Sequence, residues 1–424
     1  MALSKPLSYG NWSILMEHLD VNVRHALAVC APRLRNIDES LPLKIHRLRL
    51  DASCFVLNDT EHTFYSYMGS PSGSELPMEI QMMNMMGGQP FDLDQFGNKE
   101  PDGDIQPGDI NIGHDIGSPA RDPPTKTPRW DIVPFVRYYR RPYPSNGPHY
   151  LKQSIRFDAG LKIRDLIRKL IETILMKPQT VTLKVLEVDT ENCVLRLPEG
   201  FKIRIQELRL GDKATHAVEP LEDRDINIDG FDLGVLSPRR SIYDVLDQTS
   251  FPLDNFSFVS YGDLGNVWNH EKLMSSKTLK IKYPGGPNIV PLLTPLKNKT
   301  IEILNFCISV TRFRVLAISW INNPREIGTK LSMVSPTMFI QRVMDNLCTK
   351  SGKKARAMKG NLNSRVCPPE FPHCYTFDVN DASELNFYVQ KSKNYEEEIG
   401  KRDGLPWIIV MEAMAAGSAV PVDG

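Results

Sequence analysis

Residues 7–37 carry apolar positions at helical spacing, which predicts a small helical unit. The apolar positions on either side of a polar break at 20–22 are Ile14, Leu15, Leu19, Leu27, Cys30 and Leu34. Pro32 falls within the second stretch, and because proline has no backbone N–H, we expect a helix to end or bend there. The chain is therefore expected to begin with short helices.

From Leu43 the apolar residues alternate with polar ones, which is typical of strands. Asn58-Asp59 supplies turn residues after Leu57, and residues 63–67 alternate again, so we expect a β-hairpin. An apolar strip follows at Met78, Met82, Met83, Met85 and Met86. Two interpretations of this strip stay open: a short helix packed on a core, or an adaptable binding surface of the kind that methionine supplies.

Residues 98–130 show no periodicity. Pro, Gly and Asp alternate there, and no Phe, Tyr or Trp occurs between Gly97 and Trp130. Such a segment buries too little apolar surface to offset the entropy of ordering its backbone. We therefore predict a disordered or loosely held loop.

Residues 131–424 again contain regularly spaced apolar residues, as is typical of a folded domain. A one-sided apolar pattern predicts an amphipathic helix over 163–175, and further helices are predicted at 268–274, 310–321 and 338–347. Strands are predicted at 181–188, 194–197, 201–210, 256–259, 279–283, 301–304 and 331–334. Strand starts recur roughly every 20–30 residues, the spacing of leucine-rich repeats, although the repeat consensus is poor. Strand–helix alternation favours parallel strands with helices on one face.

The predicted fold class is therefore α/β (α+β): a short N-terminal helical unit followed by an irregular strand–helix stack, weakly leucine-rich-repeat-like. The predicted divisions are 1–42 for the helical unit, 43–97 for the hairpin and Met-rich segment, 98–130 for the loop, and 131–424 for an α/β domain.

Charge and composition narrow the function classes. The 424 residues contain 51 Lys+Arg and 51 Asp+Glu. This balance argues against a protein whose whole surface binds nucleic acid or an anionic membrane. No run approaches about 18 apolar residues, so no membrane span is expected. The seven cysteines are scattered, and no secretory leader is recognisable near the start. We expect an intracellular protein of the cytoplasm, the nucleus or both.

The sequence offers little catalytic chemistry. It contains no G-x-x-x-x-G-K-[ST] loop, G-x-S-x-G elbow, H-E-x-x-H pair or paired C-x-x-C. Cys367, His373 and Cys374 lie close together, but their spacing matches no common zinc site. We therefore assign no catalytic residue, cofactor or metal, and predict that the chain is not an enzyme.

One basic stretch, Arg137-Tyr138-Tyr139-Arg140-Arg141, interleaves cations with aromatic rings as single-strand nucleic-acid binders do. Because it is one short run between Pro134 and Pro142, a solvated loop with Arg–Tyr stacking is favoured, and no nucleic-acid partner is expected.

The N-terminal pattern resembles an F-box. The residues that carry the resemblance are Leu7, then Ile14-Leu15-x-x-x-Leu19-Asp20, then Leu27-Ala28-Val29-Cys30-x-x-x-Leu34. The resemblance implies short helices that dock into a groove of a Skp-type adaptor protein. The adaptor-binding residues that it implies are Leu7, Ile14, Leu15, Leu19, Leu27, Val29 and Leu34.

Further segments are similar to a large nematode family of F-box-like proteins with an F-box-associated domain of unknown function. These segments are Pro6-Leu7-Ser8-Tyr9, Val23-Arg24, Pro42-Leu43-Lys44-Ile45, Val56-Leu57-Asn58-Asp59-Thr60, Gly87-Gly88, Phe91-Asp92-Leu93-Asp94-x-Phe96-Gly97, Pro107-Gly108-Asp109-Ile110 and Trp320-Ile321-x-Asn323-x-Arg325-Glu326-Ile327-Gly328-Thr329. The family implies an interaction protein that recognises an unknown protein substrate for a Skp–cullin–F-box ubiquitin ligase, with no enzymatic activity of its own.

Two alternatives stay open beside the adaptor hypothesis. Ser8, Pro32 and Leu34 depart from the F-box pattern, which supports an uncharacterised structural or binding protein with a decayed F-box and no ligase role. In that case the apolar residues pack as ordinary core. An enzyme of unrecognised type is the third hypothesis, and the lack of a nucleophile, metal or phosphate motif weighs against it.

Overall fold

The computed structural model falls into two compact units, Met1–Ser250 and Phe251–Gly424. The residues that it describes are 9–70, 75–100, 105–112, 130–140, 150–158, 161–176, 181–188, 193–211, 242, 245–259, 275–282, 289–304, 308–350, 356–359, 361–362, 365–366, 368, 370–371, 373–398, 401 and 404–421.

The first unit begins with three short helices: α1 (Tyr9–His18), α2 (Val21–Cys30) and α3 (Pro32–Ser40). Asp20 starts α2 because its side chain accepts a hydrogen bond from the backbone N–H of Asn22. Pro32 lies in the first turn of α3. A backbone N–H in the first turn has no acceptor within the helix, so no hydrogen bond is lost because proline lacks this group. The predicted interruption at Pro32 is therefore a boundary between two helices.

The remaining elements of the first unit are β1 (Leu43–Leu50), β2 (Cys54–Leu57), β3 (Thr60–Gly69), α4 (Met78–Met85), β4 (Ile110–Ile112), β5 (Asp131–Arg140), β6 (Tyr150–Arg156), α5 (Ile163–Leu175), β7 (Val181–Val188), β8 (Cys193–Leu195) and β9 (Arg204–Leu210). The strand order of its main sheet is β9-β7-β1-β2-β3-β5-β6. Pairing is parallel from β9 to β1 and antiparallel from β1 to β6.

The predicted hairpin and amphipathic helix are both confirmed. Asn58 adopts a φ of 55° at the turn between β2 and β3, a conformation that asparagine tolerates better than most residues. Helix α5 buries one stripe of side chains, which are Ile163, Leu166, Ile167, Ile171, Ile174 and Leu175.

Part of the predicted loop is ordered. Ile110 and Ile112 are fully buried in β4, which pairs with β8 through the registers Ile110↔Leu195 and Ile112↔Cys193. Residues 105–112 therefore differ from the expectation, because a short apolar triplet found a tertiary partner. Residues 101–104 and 113–129 of the predicted loop lie outside the described residues.

The basic stretch that was expected to be a loop is strand. Arg137 lies in β5 opposite Thr63 of β3, and its guanidinium lies over the rings of Tyr65 and Tyr67. Arg137 thus contacts tyrosine rings of the neighbouring strand β3. Arg141 lies outside the described residues.

The elements of the second unit are β10 (Asn255–Val259), β11 (Thr278–Lys282), α6 (Val290–Leu293), β12 (Thr300–Ile303), α7 (Val310–Asn322), β13 (Lys330–Ser335), α8 (Thr337–Lys350), β14 (Arg356–Lys359), β15 (Asn361–Leu362), β16 (Arg365–Val366), β17 (His373–Asn380), β18 (Ser383–Lys391), α9 (Tyr395–Glu398), β19 (Trp407–Ala415) and β20 (Val420–Pro421). Strands β10 to β13 pair in parallel, and the sheet continues antiparallel in the order β13-β19-β18-β17-β14-β20.

The parallel strands stack their apolar residues in rows. One row runs through Phe256, Leu279, Ile301 and Leu331, and the next runs through Phe258, Ile281, Ile303 and Met333. All eight side chains are buried. The mixed α/β class is confirmed, whereas the leucine-rich-repeat likeness stays a prediction. The helix predicted at 268–274 lies outside the described residues.

Candidate functional site

Helices α1 to α3 enclose a small core of their own. Met16, Leu34 and Ile37 form the buried cluster. The side chains that pack against it are Trp12, Leu19, Leu27, Ala31 and Leu41. The helical unit is therefore held by its own apolar contacts, which leaves its other apolar side chains available at the surface.

The residues implied by the F-box resemblance divide between this core and the surface. Ile14, Leu15 and Val29 have exposed fractions of 64%, 39% and 57%. In contrast, Leu34 is buried, and Leu19 and Leu27 are half-buried against the cluster. Leu7 lies outside the described residues. Candidate docking side chains on the described helices are thus Ile14, Leu15 and Val29.

Val23 is a further exposed apolar residue, with an exposed fraction of 44%. The sequence placed it in the Val23-Arg24 segment of the family resemblance, but not among the implied adaptor-binding residues.

Arg24 is the polar centre of the helical unit. Its Nε donates to Asp38 Oδ1 at 2.9 Å, its Nη2 donates to the Asp38 carbonyl at 3.0 Å, and its Nη1 donates to the Pro42 carbonyl at 3.0 Å. One side chain therefore joins α2 to α3 and to the entry of β1. Arg24 shares the buried face of α2 with Val21 and Ala28. The sequence signal for its burial was its helical spacing from these two apolar residues.

A second polar cluster attaches α2 to the first hairpin. Asp20 Oδ2 accepts from Asn58 Nδ2 at 2.6 Å, and Asn22 Nδ2 donates to the carbonyl of Leu57 at 2.9 Å. Asn58 Oδ1 also accepts from the backbone N–H groups of His46 and Arg47. The helices are thus fixed to β1 and β2 by hydrogen bonds, so that the exposed side chains of α2 have a defined orientation relative to the hairpin.

A cavity of about 270 Å³ lies elsewhere in the first unit, at the start of α5. Its polar lining includes Asp92, Lys99, Glu100, Arg164, Cys193 and Arg196. Glu100 Oε2 is 2.9 Å from Lys162 Nζ and 3.5 Å from Arg164 Nη1. Asp109, behind the lining, binds Arg168 and Arg196 at 2.8 and 2.7 Å. The acids here are engaged in ion pairs, an arrangement that joins α5 to residues 92–109.

Asp92 caps α5 from a distant part of the chain. Its Oδ1 accepts from the backbone N–H of Ile163 at 2.5 Å, and its Oδ2 from that of Arg164 at 3.4 Å. Burial raises the pKa of Asp92, and it outweighs these hydrogen bonds and the positive charges of Arg164 and Lys162, which lower it. Asp92 is therefore a helix cap supplied by tertiary contact.

The cysteine–histidine stretch supplies a core residue. Cys374 is fully buried in β17 in a cluster with Tyr388, Val410 and Ala419. Cys367 lies outside the described residues. In the part of the chain that the structure describes, no three His, Cys, Asp or Glu side chains are grouped closely enough to hold a metal ion. No described helix has the length and hydrophobicity to cross a bilayer.

Arg325 links the segment 320–329 to the residues that precede β12. Arg325 Nη1 donates to the Leu296 carbonyl at 2.7 Å, Nη2 donates to the Thr294 carbonyl, and the guanidinium lies 5.1 Å from the centre of the Trp320 ring. Burial lowers the pKa of Arg325. Trp320 is a core residue.

Comparison with known proteins gives one family match. Residues 237–336 match the family described as Domain of unknown function (DUF3557). In the described part of the chain this segment carries β10 to β13 with α6 and α7. No curated protein and no solved structure matches the chain. The chain therefore contains a DUF3557 segment that comprises the parallel strands of its second unit.

Proposed function

We propose that this chain is a protein-interaction module that recognises a protein substrate for a Skp–cullin–F-box ubiquitin ligase, in the cytoplasm or the nucleus. Ile14, Leu15 and Val29 carry the proposal. They are exposed apolar residues of a helical unit that already has a closed core. Apolar side chains presented by short helices suit a groove on a Skp-type adaptor protein.

The polar contacts of Asp20 and Asn22 with the hairpin support the same role. A substrate receptor has to hold its substrate at a fixed orientation relative to the ligase. Because hydrogen bonds fix α2 to β1 and β2, an adaptor bound to α2 would be oriented relative to the hairpin rather than tethered by a loose linker.

Binding of the full-length chain to a purified Skp-type adaptor tests the proposal. We expect wild-type protein to bind at micromolar concentration or below. Leu15→Asp should weaken binding at least about tenfold, since a charge would enter an apolar contact. The melting temperature should change little, because Leu15 is exposed.

Ile327→Asp is the matched control, because Ile327 is an exposed apolar residue of the second unit. It should bind the adaptor as the wild-type chain does. Wild-type protein that binds no Skp-type adaptor would overturn the ligase proposal, as would equal losses in Leu15→Asp and Ile327→Asp.

The inward positions of Leu19, Leu27 and Leu34 favour a second candidate, a binding protein without a ligase role. These side chains contribute to the core of the helices, and a decayed F-box would retain such core residues. A wild-type chain that is stably folded but does not bind the adaptor would favour this candidate.

A further inference from the structure

Helix α4 presents an exposed methionine face. The exposed fractions of Met78, Met82, Met85 and Met86 are 73%, 55%, 84% and 78%. None of the eight residues of α4, all of which are described, is buried. The predicted short helix is confirmed, but its four exposed methionines do not pack on a core.

The four exposed methionines lie on one side of the helix. At 3.6 residues per turn they fall within an arc of roughly 100°. Asn84 lies outside this arc and holds the helix on β3, because its Nδ2 donates to the Met68 carbonyl at 2.8 Å and its Oδ1 accepts from the Met68 N–H at 3.3 Å. The helix is thereby anchored through one side while the methionine side faces outward.

Three of these side chains are spaced to converge. Met82, Met85 and Met86 stand at i, i+3 and i+4, the positions that neighbour one another on a helix surface. Helical side chains lean toward the N-terminus, so Met85 and Met86 lean over the turn that carries Met82. Three thioether sulfurs can therefore reach one point above the helix.

We propose that Met82, Met85 and Met86 form a site for Cu(I), with Met78 one turn earlier as an additional ligand. Thioether sulfur is a soft, neutral ligand that selects Cu(I) over the divalent cations that prefer carboxylate and water. Glu79 is the one charged residue among positions 78–86, so the segment offers few of the carboxylate ligands that a hard cation prefers. Cu(I) fits a set of three neutral soft ligands on a solvent-accessible face.

Cu(I) titration of the full-length chain against the chelator bathocuproine disulfonate, without oxygen, tests this site. The thiols are first alkylated with iodoacetamide at neutral pH, because Cys30 is exposed and thiolates also bind Cu(I). We expect one Cu(I) per chain. The triple variant Met82→Leu/Met85→Leu/Met86→Leu keeps the apolar volume and should lose at least about tenfold in affinity.

Met83→Leu is the matched control. Met83 belongs to the same helix, but it is half-buried and its sulfur lies 3.3 Å from Gln89 Nε2. This variant should bind Cu(I) as the wild-type chain does. In protein labelled with ¹³C at the methionine methyl groups, the signals that disappear in the triple variant should be those that shift when Cu(I) is added to the wild-type chain.

Equal Cu(I) affinity of the wild-type chain and the triple variant would overturn the proposal, as would the lack of a bound ion in the wild-type chain. Either result would favour an apolar docking surface, since leucine preserves apolar contacts but not coordination. Far-ultraviolet circular dichroism of each variant verifies that the fold is unchanged. The adaptor-binding experiment is independent of this one, because it uses a surface on α1 and α2.

Discussion

Arg24 and Asp38 form an ion pair inside the N-terminal helical unit. Arg24 Nη2 lies 2.8 Å from Asp38 Oδ1, and only 2% and 3% of the two side chains are exposed. Because Arg24 also binds the carbonyls of Asp38 and Pro42, the pair fixes α2 against α3 and against the chain entering β1. The orientation of α2 therefore depends on this buried guanidinium as well as on the contacts of Asp20 and Asn22 with the hairpin.

Asp38→Ala should destabilise the chain by about 3–5 kcal/mol, because it leaves the Arg24 charge buried without its carboxylate. Urea unfolding measures the change. Glu39→Ala is the control, since Glu39 is exposed on the same helix and should change the free energy of unfolding by no more than about 0.5 kcal/mol.

Replacing both partners separates pairing from burial. The double variant Arg24→Met/Asp38→Leu should be less destabilised than Asp38→Ala, because no unpaired charge remains. A double variant as unstable as the single one would show that the carbonyl contacts of Arg24, and not the ion pair, hold the helices.

Asp92 predicts a pH dependence at the start of α5. Burial raises its pKa above the ordinary value of 3.8, so the folded chain favours the protonated carboxyl. The stability gained from this protonation is fully present below pH 3.8 and is lost as the pH rises through the raised pKa. Relative to Asp92→Asn, which cannot ionise, the wild-type chain should therefore become less stable as the pH rises.

Denaturant unfolding of both proteins over a series of pH values measures this difference. Asp94→Asn is a control, because Asp94 binds only neighbouring groups of its own loop in the described contacts. A wild-type chain that gains stability over Asp92→Asn with rising pH would show that the charges of Arg164 and Lys162 outweigh burial.

The elements that could be predicted from the sequence are those in which burial follows a period. Helix α5 buries one stripe, and β10 to β13 bury alternate residues, so their patterns could be recognised. In contrast, β18 buries seven successive residues, Ser383 to Val389. Its burial has no period of two, although Leu385, Phe387 and Val389 alternate with Glu384 and Asn386 in the sequence. The sequence therefore does not show that both faces of this strand are buried.

In the candidate site, too, some features could be predicted from the sequence and others could not. Helical spacing identifies Ile14 and Leu15 as apolar positions but leaves their exposure open. The pairing of Arg24 with Asp38 joins two helices and leaves no local signal. Likewise, β4 is three residues in a Pro- and Gly-rich segment. Its order depends on β8 and on the ion pairs of Asp109 with Arg168 and Arg196, which are distant in sequence.

Glu384 should be essential for the C-terminal edge of the second unit. Its carboxylate accepts from Asn386 Nδ2 at 3.0 Å, from the Ala419 N–H at 2.9 Å and from the Gly417 N–H at 3.1 Å. Glu384→Ala should destabilise the chain by about 2–4 kcal/mol, because it leaves buried donors without an acceptor. Urea unfolding measures the loss.

Glu396→Ala is the control for Glu384, since Glu396 is an exposed carboxylate of the same unit. Its free energy of unfolding should match that of the wild-type chain within about 0.5 kcal/mol. If Glu384→Ala is equally mild, water replaces the carboxylate and the turn between β19 and β20 holds without it.

Asn58 combines a backbone conformation with three side-chain hydrogen bonds, and two substitutions separate these contributions. Asn58→Gly tolerates the φ of 55° but loses the contacts with Asp20, His46 and Arg47. It should destabilise the chain by about 2 kcal/mol. Asn58→Ala loses the same contacts and also strains the left-handed backbone, so it should be destabilised by about 1 kcal/mol more.

Amide hydrogen exchange then shows whether Asn58 fixes the helices to the hairpin. Asn58 binds the Asp20 carboxylate that caps α2. In both variants, amide exchange at the first turn of α2 should therefore be faster than in the wild-type chain, and the increase should be larger there than at α5. Asn36→Ala, at an exposed asparagine of α3, should leave that exchange unchanged. If α2 exchanges at the wild-type rate in Asn58→Gly, the Asn22 contact with the Leu57 carbonyl holds the helix on the hairpin by itself.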